Sequence, residues 1–334
     1  MKKKTGLIAA LIAVAVFAFV SVDALQGKET QKTFFAMDTV VTVTVNASKP
    51  DGIADAIEEE INSLETDLIS RHLQSSELSR INGKGGKLSN ELAEMLSTLM
   101  QVSEKSGGAF DFVLGAVSDL WNFGTEPSMP DAEILADVLA HSGYRKIALN
   151  GNLLEFKDSA AVIDLGASGK GAALDAAKTV LEAEKAKRAV VSVGGSILLY
   201  GGGDFTVGIR NPEGNAGEFI ATLKTKECCV STSGNYERCF EENGVKYHHI
   251  INPETGYPVE NGLVSVTVIS ESGILSDALS TACFVLGVEK GMDLALEFGC
   301  EAVFVTADKQ IYATDTARAM LEINDKSYTE AAHQ

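Results

Sequence analysis

Asp277 and Thr281 stand four residues apart in a segment that reads as a helix from about Ser276, so both side chains leave one face and offer two hard oxygens. Hard oxygen donors suit Mg²⁺, which keeps several waters and shares its shell with phosphate. Alone the pair is commonplace, since an Asp at a helix start and a surface Thr explain it equally well. Its company gives it weight. Between Val230 and Gly287 the chain also carries the hydroxyl-rich run Ser231-Thr232-Ser233-Gly234-Asn235-Tyr236, which reads as a loop, and the adjacent pair His248-His249. His249 is expected in an apolar strand, just ahead of a turn at Asn252-Pro253-Glu254-Thr255-Gly256. An imidazole there suits removal of a proton from a hydroxyl nucleophile, because its unperturbed pKa lies near working pH.

A second cluster, Asp164-Leu165-Gly166-Ala167-Ser168-Gly169-Lys170-Gly171, falls at a strand-to-helix junction. Free backbone N–H groups and the helix dipole favour an anion there, and Lys170 adds a full positive charge. Two known motifs fail on it. A P-loop needs Gly where Asp164 stands and Ser or Thr where Gly171 stands, and a nucleophile elbow needs Gly in place of Lys170. Farther upstream, Gly108-Ala109-Phe110-Asp111 and Trp121-Asn122-Phe123-Gly124 bracket a segment of small and aromatic residues. Phe110 and Trp121 could stack on a flat ring, although core packing is the ordinary role of both.

The elements that must position these groups interleave. Val41, Val43 and Val45 alternate with threonines as in a strand, and Ile53, Ile57, Ile61, Leu64 and Leu68 mark one helix face. Further helices are expected from Ser89 to Ser106, behind Pro130-Asp131, as an Ala-rich stretch that follows the Gly-rich turn and runs to about Lys187, and from Lys290. Strands are expected at Ala161–Leu165, Ala189–Val193, Ile197–Tyr200, Phe205–Ile209, Phe219–Thr225, Tyr247–Ile251, Val264–Ile269, and as a pair near Val303 and Ile311. Consecutive strands joined by tight glycine turns favour antiparallel pairing. The expected fold class is therefore α+β, with mixed, largely antiparallel sheets flanked by helices.

The 334 residues suffice for one large domain, expected over 33–322, with a polar tail over 323–334. Lys2-Lys3-Lys4, an apolar run from Leu7 to Val20 and the small residues before Leu25 fit a signal peptide over 1–24, with an uncut membrane anchor as the alternative. Residues 25–32 are polar and read as a tether. The expected location is extracytoplasmic, periplasmic or at the cell surface. Formal net charge is −18, and −20 once the three Lys and one Asp of residues 1–24 are set aside. Such acidity excludes nucleic acid as principal partner and requires a phosphate ligand to be met by a local cation. Five cysteines, an odd number without C-x-x-C spacing, read as small buried hydrophobes.

Taken in order, Met37-Asp38-Thr39, Ser76-Glu77-Leu78-Ser79-Arg80-Ile81-Asn82, Gly108-Ala109-Phe110-Asp111, Asp164-Leu165-Gly166 with Lys170-Gly171, Val193-Gly194-Gly195, Thr232 to Arg238, His249 to Gly256, and Asp277 with Ser280-Thr281 resemble the ApbE-like flavin transferases. The likeness runs from Met37 to Leu321. It implies an ApbE-like fold and Mg²⁺-dependent cleavage of the FAD pyrophosphate, with FMN passed to a Thr or Ser hydroxyl of an exported or membrane flavoprotein and AMP released. By that resemblance Asp277, Thr281 and the Ala167 carbonyl hold the metal, and His249 is the base. Met37, Asp164, Lys170, Ile251 and Ala109-Phe110-Asp111 line the FAD site. His72 stands where many relatives carry Tyr or Trp, over the flavin ring, and Asn252 replaces the usual Asp before the Pro-x-Thr-Gly turn. Two alternatives share these residues: an FAD pyrophosphatase that uses water, and a flavin carrier without chemistry.

Overall fold

The computed structural model describes residues 28–124, 126–215 and 217–331. The expected signal or anchor over 1–24 lies outside them. Strands β1 (Lys28–Ala36) and β2 (Thr39–Ala47) pair in full register from Lys28↔Ala47 to Ala36↔Thr39. Residues 28–32 are thus the first half of a strand and do not form a tether. Their polarity reflects an edge strand with one solvated face. The two-residue connection holds Met37 at φ 52° and Asp38 at φ 56°, the positive angles that match strand twist in a tight hairpin.

Helix α1 (Pro50–Ser63) buries Ile53, Ile57 and Ile61 and continues into a π-helical turn over Leu64–Ile69. After α2 (Glu77–Ile81) and the short β3 (Gly86–Lys87), α3 (Asn90–Lys105) starts where the Ser89 hydroxyl accepts the Leu92 N–H. Helices α4 (Gly115–Trp121) and α5 (Ala132–Ala140) follow, the latter capped by Asp131, and then β4 (Ile147–Asn150) and β5 (Leu153–Phe156). Residues Ala161–Leu165, expected as a strand, join no sheet. They run extended because the Asn82 amide clamps the Ile163 backbone at both N–H and C=O, each 2.8 Å, and the Phe112 carbonyl accepts the Asp164 N–H.

Next come α6 (Gly169–Ala183), β6 (Arg188–Val193), β7 (Ser196–Gly201), β8 (Phe205–Arg210), β9 (Phe219–Thr225) and β10 (Cys228–Gly234). The chain closes with β11 (Cys239–Glu242), β12 (Val245–His248), β13 (Leu263–Ser270), α7 (Gly273–Leu286), α8 (Val288–Glu297), β14 (Glu301–Thr306), β15 (Gln310–Ala313), α9 (Asp315–Met320), β16 (Leu321–Ile323) and β17 (Thr329–Glu330). The expected strand Tyr247–Ile251 ends at His248, and Ile251 makes a lone bridge to Pro258. Within the expected polar tail, β17 pairs in parallel with β15 and Tyr328 is buried, so its described part is folded.

One nine-stranded sheet, ordered β1-β2-β6-β7-β10-β13-β14-β15-β17, keeps its strands in ascending chain order with crossovers at β2–β6, β7–β10, β10–β13 and β15–β17, and among the described residues β15–β17 is its one parallel pair. Alternating side chains feed two cores. Val41, Val191, Leu198, Val266 and Phe304 face α1, α3, α6, α7 and α8. Ile197, Leu199, Val230, Val303 and Val305 face the three-stranded sheet β16-β9-β8. Helices, large sheet and small sheet form three layers, an α+β fold as expected. Four cysteines are buried, and Cys239 is exposed.

Candidate active site

The site forms where α6 meets α7 against β10. Their backbones touch: a Cβ on Gly171 would stand 2.1 Å from the Gly273 carbonyl oxygen, and one on Gly273 would stand 2.2 Å from that of Gly171. Asp175, one turn along α6, caps α7 by accepting the N–H groups of Gly273 and Ile274 at 2.6 and 2.9 Å. Burial holds its carboxyl above the usual carboxylate range.

Across this crossing sits Asp277, buried at 2% exposure. Its Oδ2 accepts the Gly171 N–H at 3.0 Å, its Oδ1 accepts the Ser196 hydroxyl at 3.2 Å, and Lys170 Nζ stands 3.5 Å from Oδ1. Gly171 lies four residues after Ala167, so its N–H would ordinarily close the first helical turn on the Ala167 carbonyl. It donates to Asp277 instead. Among the described residues the Ala167 carbonyl accepts no backbone hydrogen bond, which leaves an oxygen free beside the carboxylate. The expectation of open amides for an anion is met less well: the Gly166 N–H is taken by Asp164 Oδ1 and the Gly171 N–H by Asp277. Positive charge here comes from the Lys170 ammonium.

The run Ser231-Thr232-Ser233, expected as a loop, is central strand β10. Its hydroxyls meet those of α7. Ser231 Oγ lies 2.7 Å from Ser276 Oγ, and Ser233 Oγ lies 2.8 Å from Ser280 Oγ and 3.2 Å from Thr281 Oγ1. Strand period two thus runs beside helical spacing, and Ser233 fixes the Thr281 rotamer. Among the described residues no three His, Cys, Asp or Glu side chains come together as a metal cluster. The oxygens present, one carboxylate, one hydroxyl and one unpartnered carbonyl, fit Mg²⁺, and no thiolate or imidazole of the kind zinc sites use is among them.

Neighbouring histidines divide their work. His248 is buried: Nε2 lies 2.9 Å from the Val259 carbonyl, Nδ1 accepts the Ile250 N–H at 3.3 Å, and the ring sits edge-on to Phe284. It is a structural residue. His249 points the other way and is half-buried, with Nδ1 sealed from solvent and without a hydrogen-bond partner. Nε2 is left as the nitrogen on the open side. Burial, then the charges of Lys170 and Arg238, lower its pKa to about 3, so the imidazole is neutral at working pH.

Glu237, which sequence reasoning did not single out, completes the centre. Protein surrounds it while its side chain stays open to solvent, as at the floor of a recess, and burial followed by repulsion from Asp277 raises its pKa against the pull of Lys170. The glycines Gly194-Gly195 explain how it approaches. A Cβ on Gly194, at φ +57°, would meet Thr39 Oγ1 at 2.9 Å and Lys170 Cδ at 3.3 Å, and one on Gly195 would meet Glu237 Oε1 at 3.0 Å. A bare backbone saddle lets the ammonium stem and the carboxylate pass.

The remaining expected residues are each held by contacts of their own. Asp164 Oδ2 stands 3.2 Å from Arg71 Nε, and the same guanidinium bonds Asp119 with both terminal nitrogens at 2.9 and 2.7 Å. This pins the loop carrying exposed His72 beside Asp164. Met37 is tied down through its N–H to Glu65 Oε2 at 2.8 Å, a residue of the π-helical turn. The Ala109-Phe110-Asp111 backbone reaches Asp164 through Phe112, yet the Phe110 ring is 1% exposed and cannot cover a flavin. Asp111 accepts the N–H groups of Val113 and Tyr144, each at 2.8 Å, and burial raises its pKa to about 6. Trp121 is likewise buried. It donates Nε1–H to the Gly256 carbonyl at 2.8 Å and stacks among Phe123, Tyr247 and Tyr257, fixing the turn that follows His249 and the half-exposed Ile251. Asn252 retains the turn function of Asp, since its Oδ1 accepts the Glu254 N–H at 2.9 Å.

A buried carboxylate and an ammonium meet at one helix crossing, a neutral imidazole lies within range of that ammonium's charge, and the three form a candidate enzyme site. The ApbE family profile matches residues 37–304. The chain is 33% identical over 315 residues to the FAD:protein FMN transferase of Treponema pallidum (strain Nichols), covering 86% of this chain and 87% of that protein. It is 30% identical over 270 residues to that of Klebsiella pneumoniae (strain 342), covering 78% and 85%. Among solved structures, the ApbE protein of Thermotoga maritima superposes with TM-score 0.79 at 29% identity, covering 88% of this chain and 99% of the other. The apo flavinyl transferase ApbE of Pseudomonas stutzeri gives 0.76 at 28%, covering 90% and 98%. The chain belongs to the ApbE family.

Proposed function

We propose that this chain transfers FMN from FAD to a Thr or Ser hydroxyl of an exported or membrane flavoprotein, with AMP as leaving group and Mg²⁺ required. The observation that carries the reading is Lys170 Nζ at 3.5 Å from Asp277 Oδ1, with Thr281 one turn along the same helix and His249 within range of the Lys170 charge. The acceptor oxygen bonds to the phosphorus on the riboflavin side, the pyrophosphate P–O bond breaks, and AMP departs with the bridging oxygen. His249 Nε2 takes the hydroxyl proton. Its depressed pKa keeps it unprotonated and ready as a base, at the expense of driving force for the transfer. Lys170 holds the pyrophosphate by charge, the local cation that the acidic body of the chain requires. Asp277, Thr281 and the Ala167 carbonyl would hold Mg²⁺. The ion supplies neutralisation of charge building on the phosphate oxygens.

Backbone around Met37, Asp164 and 109–111, together with Ile251 and His72, borders the flavin nucleotide in this reading. The apolar run at residues 7–20, outside the described residues, supports export. Among the described residues no helix is long and apolar enough to cross a membrane. The test incubates the full chain with FAD and Mg²⁺, with and without exported flavoproteins, and follows AMP together with flavin fluorescence on denaturing gels. Fluorescent acceptor plus AMP, both lost on chelation and in Asp277→Ala, is expected. Free FMN with AMP and an unlabelled acceptor identifies a pyrophosphatase, and bound FAD without AMP identifies a carrier.

A further inference from the structure

Lys170 presents a problem if Asp277 binds a dication. Its ammonium stands 3.5 Å from Asp277 Oδ1, and two like charges drawn to one carboxylate repel at a distance where water screens poorly. Its stem lies along Gly194, where an added Cβ would stand 3.3 Å from Lys170 Cδ. A second anion within reach would resolve the conflict.

Glu237 is placed to be that anion. Its Oε1 lies over Gly195, the next residue of the same saddle, at 3.0 Å from where a Cβ would be. Lys170 is the strongest charge favouring its ionised form and Asp277 the charge opposing it, so the three groups share one field. Asp277 has its oxygens committed to the Gly171 N–H and the Ser196 hydroxyl, whereas among the described residues Glu237 makes no hydrogen bond or ion pair. An unpaired carboxylate beside a lysine already leaning on another acid is a second berth for that lysine.

We propose that Glu237 is a positioning residue for Lys170: when a divalent cation occupies Asp277, the ammonium moves to Glu237 and stays at the phosphate site. No bond is made or broken. Glu237 thereby lowers the electrostatic cost of holding a dication and an ammonium together. The inference rests on Asp277 as a cation ligand, as in the proposed function, and it concerns cation affinity, which can be measured apart from flavin transfer.

The experiment titrates the full chain with Mn²⁺ and follows the free ion by electron paramagnetic resonance. The Asp277→Ala protein supplies the baseline of ions held elsewhere on the acidic surface, and thermal melts confirm that each variant is folded. Glu237→Gln should weaken the Asp277-dependent site by about ten-fold, a coupling ordinary for groups in contact. In a Lys170→Met background the same substitution should change affinity by less than about two-fold, because the ammonium that needed a berth is gone. Lys170→Gln serves if Lys170→Met does not fold. Equal loss in both backgrounds would show that Glu237 acts on the cation itself, and no loss in either would show that it does not hold the lysine; each result overturns the proposal. So does a baseline equal to wild type, which removes the cation from Asp277. FMN transfer failing while the coupling persists would reject the proposed reaction alone.

Discussion

The backbone N–H of Gly171 lies 3.0 Å from Asp277 Oδ2, so the first turn of one helix donates to the carboxylate of another. That bond takes the amide from the Ala167 carbonyl, which among the described residues accepts no backbone hydrogen bond. It requires the contact of α6 and α7 through Gly171 and Gly273.

Gly171→Ala should therefore cost both fold and site. The added methyl meets the Gly273 carbonyl oxygen at 2.1 Å, which the helices can relieve only by separating. Overpacking of this kind costs about 1–3 kcal/mol. We expect a lower melting temperature and weaker Mg²⁺ dependence of AMP release; a melting curve matching wild type would show that the crossing is looser than described.

His249→Ala should reduce turnover by about 10²–10⁴ while FAD binding changes little, since general bases contribute on that scale. The pH profile is more telling. With its pKa near 3, His249 is a free base across pH 5–8, so its protonation should produce no acid limb near pH 6.5 in kcat/KM. In stability the sign is opposite to that of a paired histidine. The unfolded chain takes up the proton first, so this residue's contribution falls as pH drops below about 6.5 and continues to fall toward 3. A kcat/KM limb near 6.5 that vanishes in His249→Gln would overturn the assignment of the depressed pKa.

Asp111 predicts the reverse slope. Burial raises its folded pKa to about 6, so the folded state binds its proton more tightly than the unfolded chain does. Its contribution is fully present below about 3.8 and is lost as pH rises through about 6. The stability difference between wild type and Asp111→Asn should shrink between pH 4 and 7, read from urea midpoints. A constant difference would mean that the carboxyl titrates as in the unfolded chain.

Trp121→Phe keeps an aromatic ring in the cluster but removes the Nε1–H bond to Gly256. A stability loss of about 1–3 kcal/mol is expected, from an unsatisfied carbonyl and a smaller ring. Because residues 252–256 follow His249, kcat should fall more than FAD affinity. Unchanged kcat in a destabilised protein would separate the turn from the chemistry.

Much of this arrangement is legible in sequence, and what is missed has particular causes. The four-residue spacing of Asp277 and Thr281 survives because helical period alone fixes which face they share. Ser231 and Ser233 read as loop by composition, although in β10 they face the hydroxyls of α7; polar strand residues whose partners lie 45 and 47 residues away carry no local signature. Residues 28–32 mislead in the same way at the sheet edge. The Ala161–Leu165 run has strand-like residues but takes its backbone partners from Asn82 and Phe112, which only the tertiary fold supplies. Glu237 lies within a recognised motif, and the adjacent glycines Gly194-Gly195 are its one sequence signal.

His248 and His249 are the same chemical group one residue apart, and the β11–β12 hairpin, with Cys239 opposite His248, decides which faces inward to Val259 and which faces Lys170. Alternation along a strand makes that decision binary. Deleting one residue from the hairpin turn at Asn243-Gly244 would slide His249 into the place beside Val259 and bring Ile250 to the place facing Lys170, in a sequence that still contains every group the reaction uses. The hairpin thus acts as a counting device, and the chain tolerates a change of chemistry at its tip far better than a change of length.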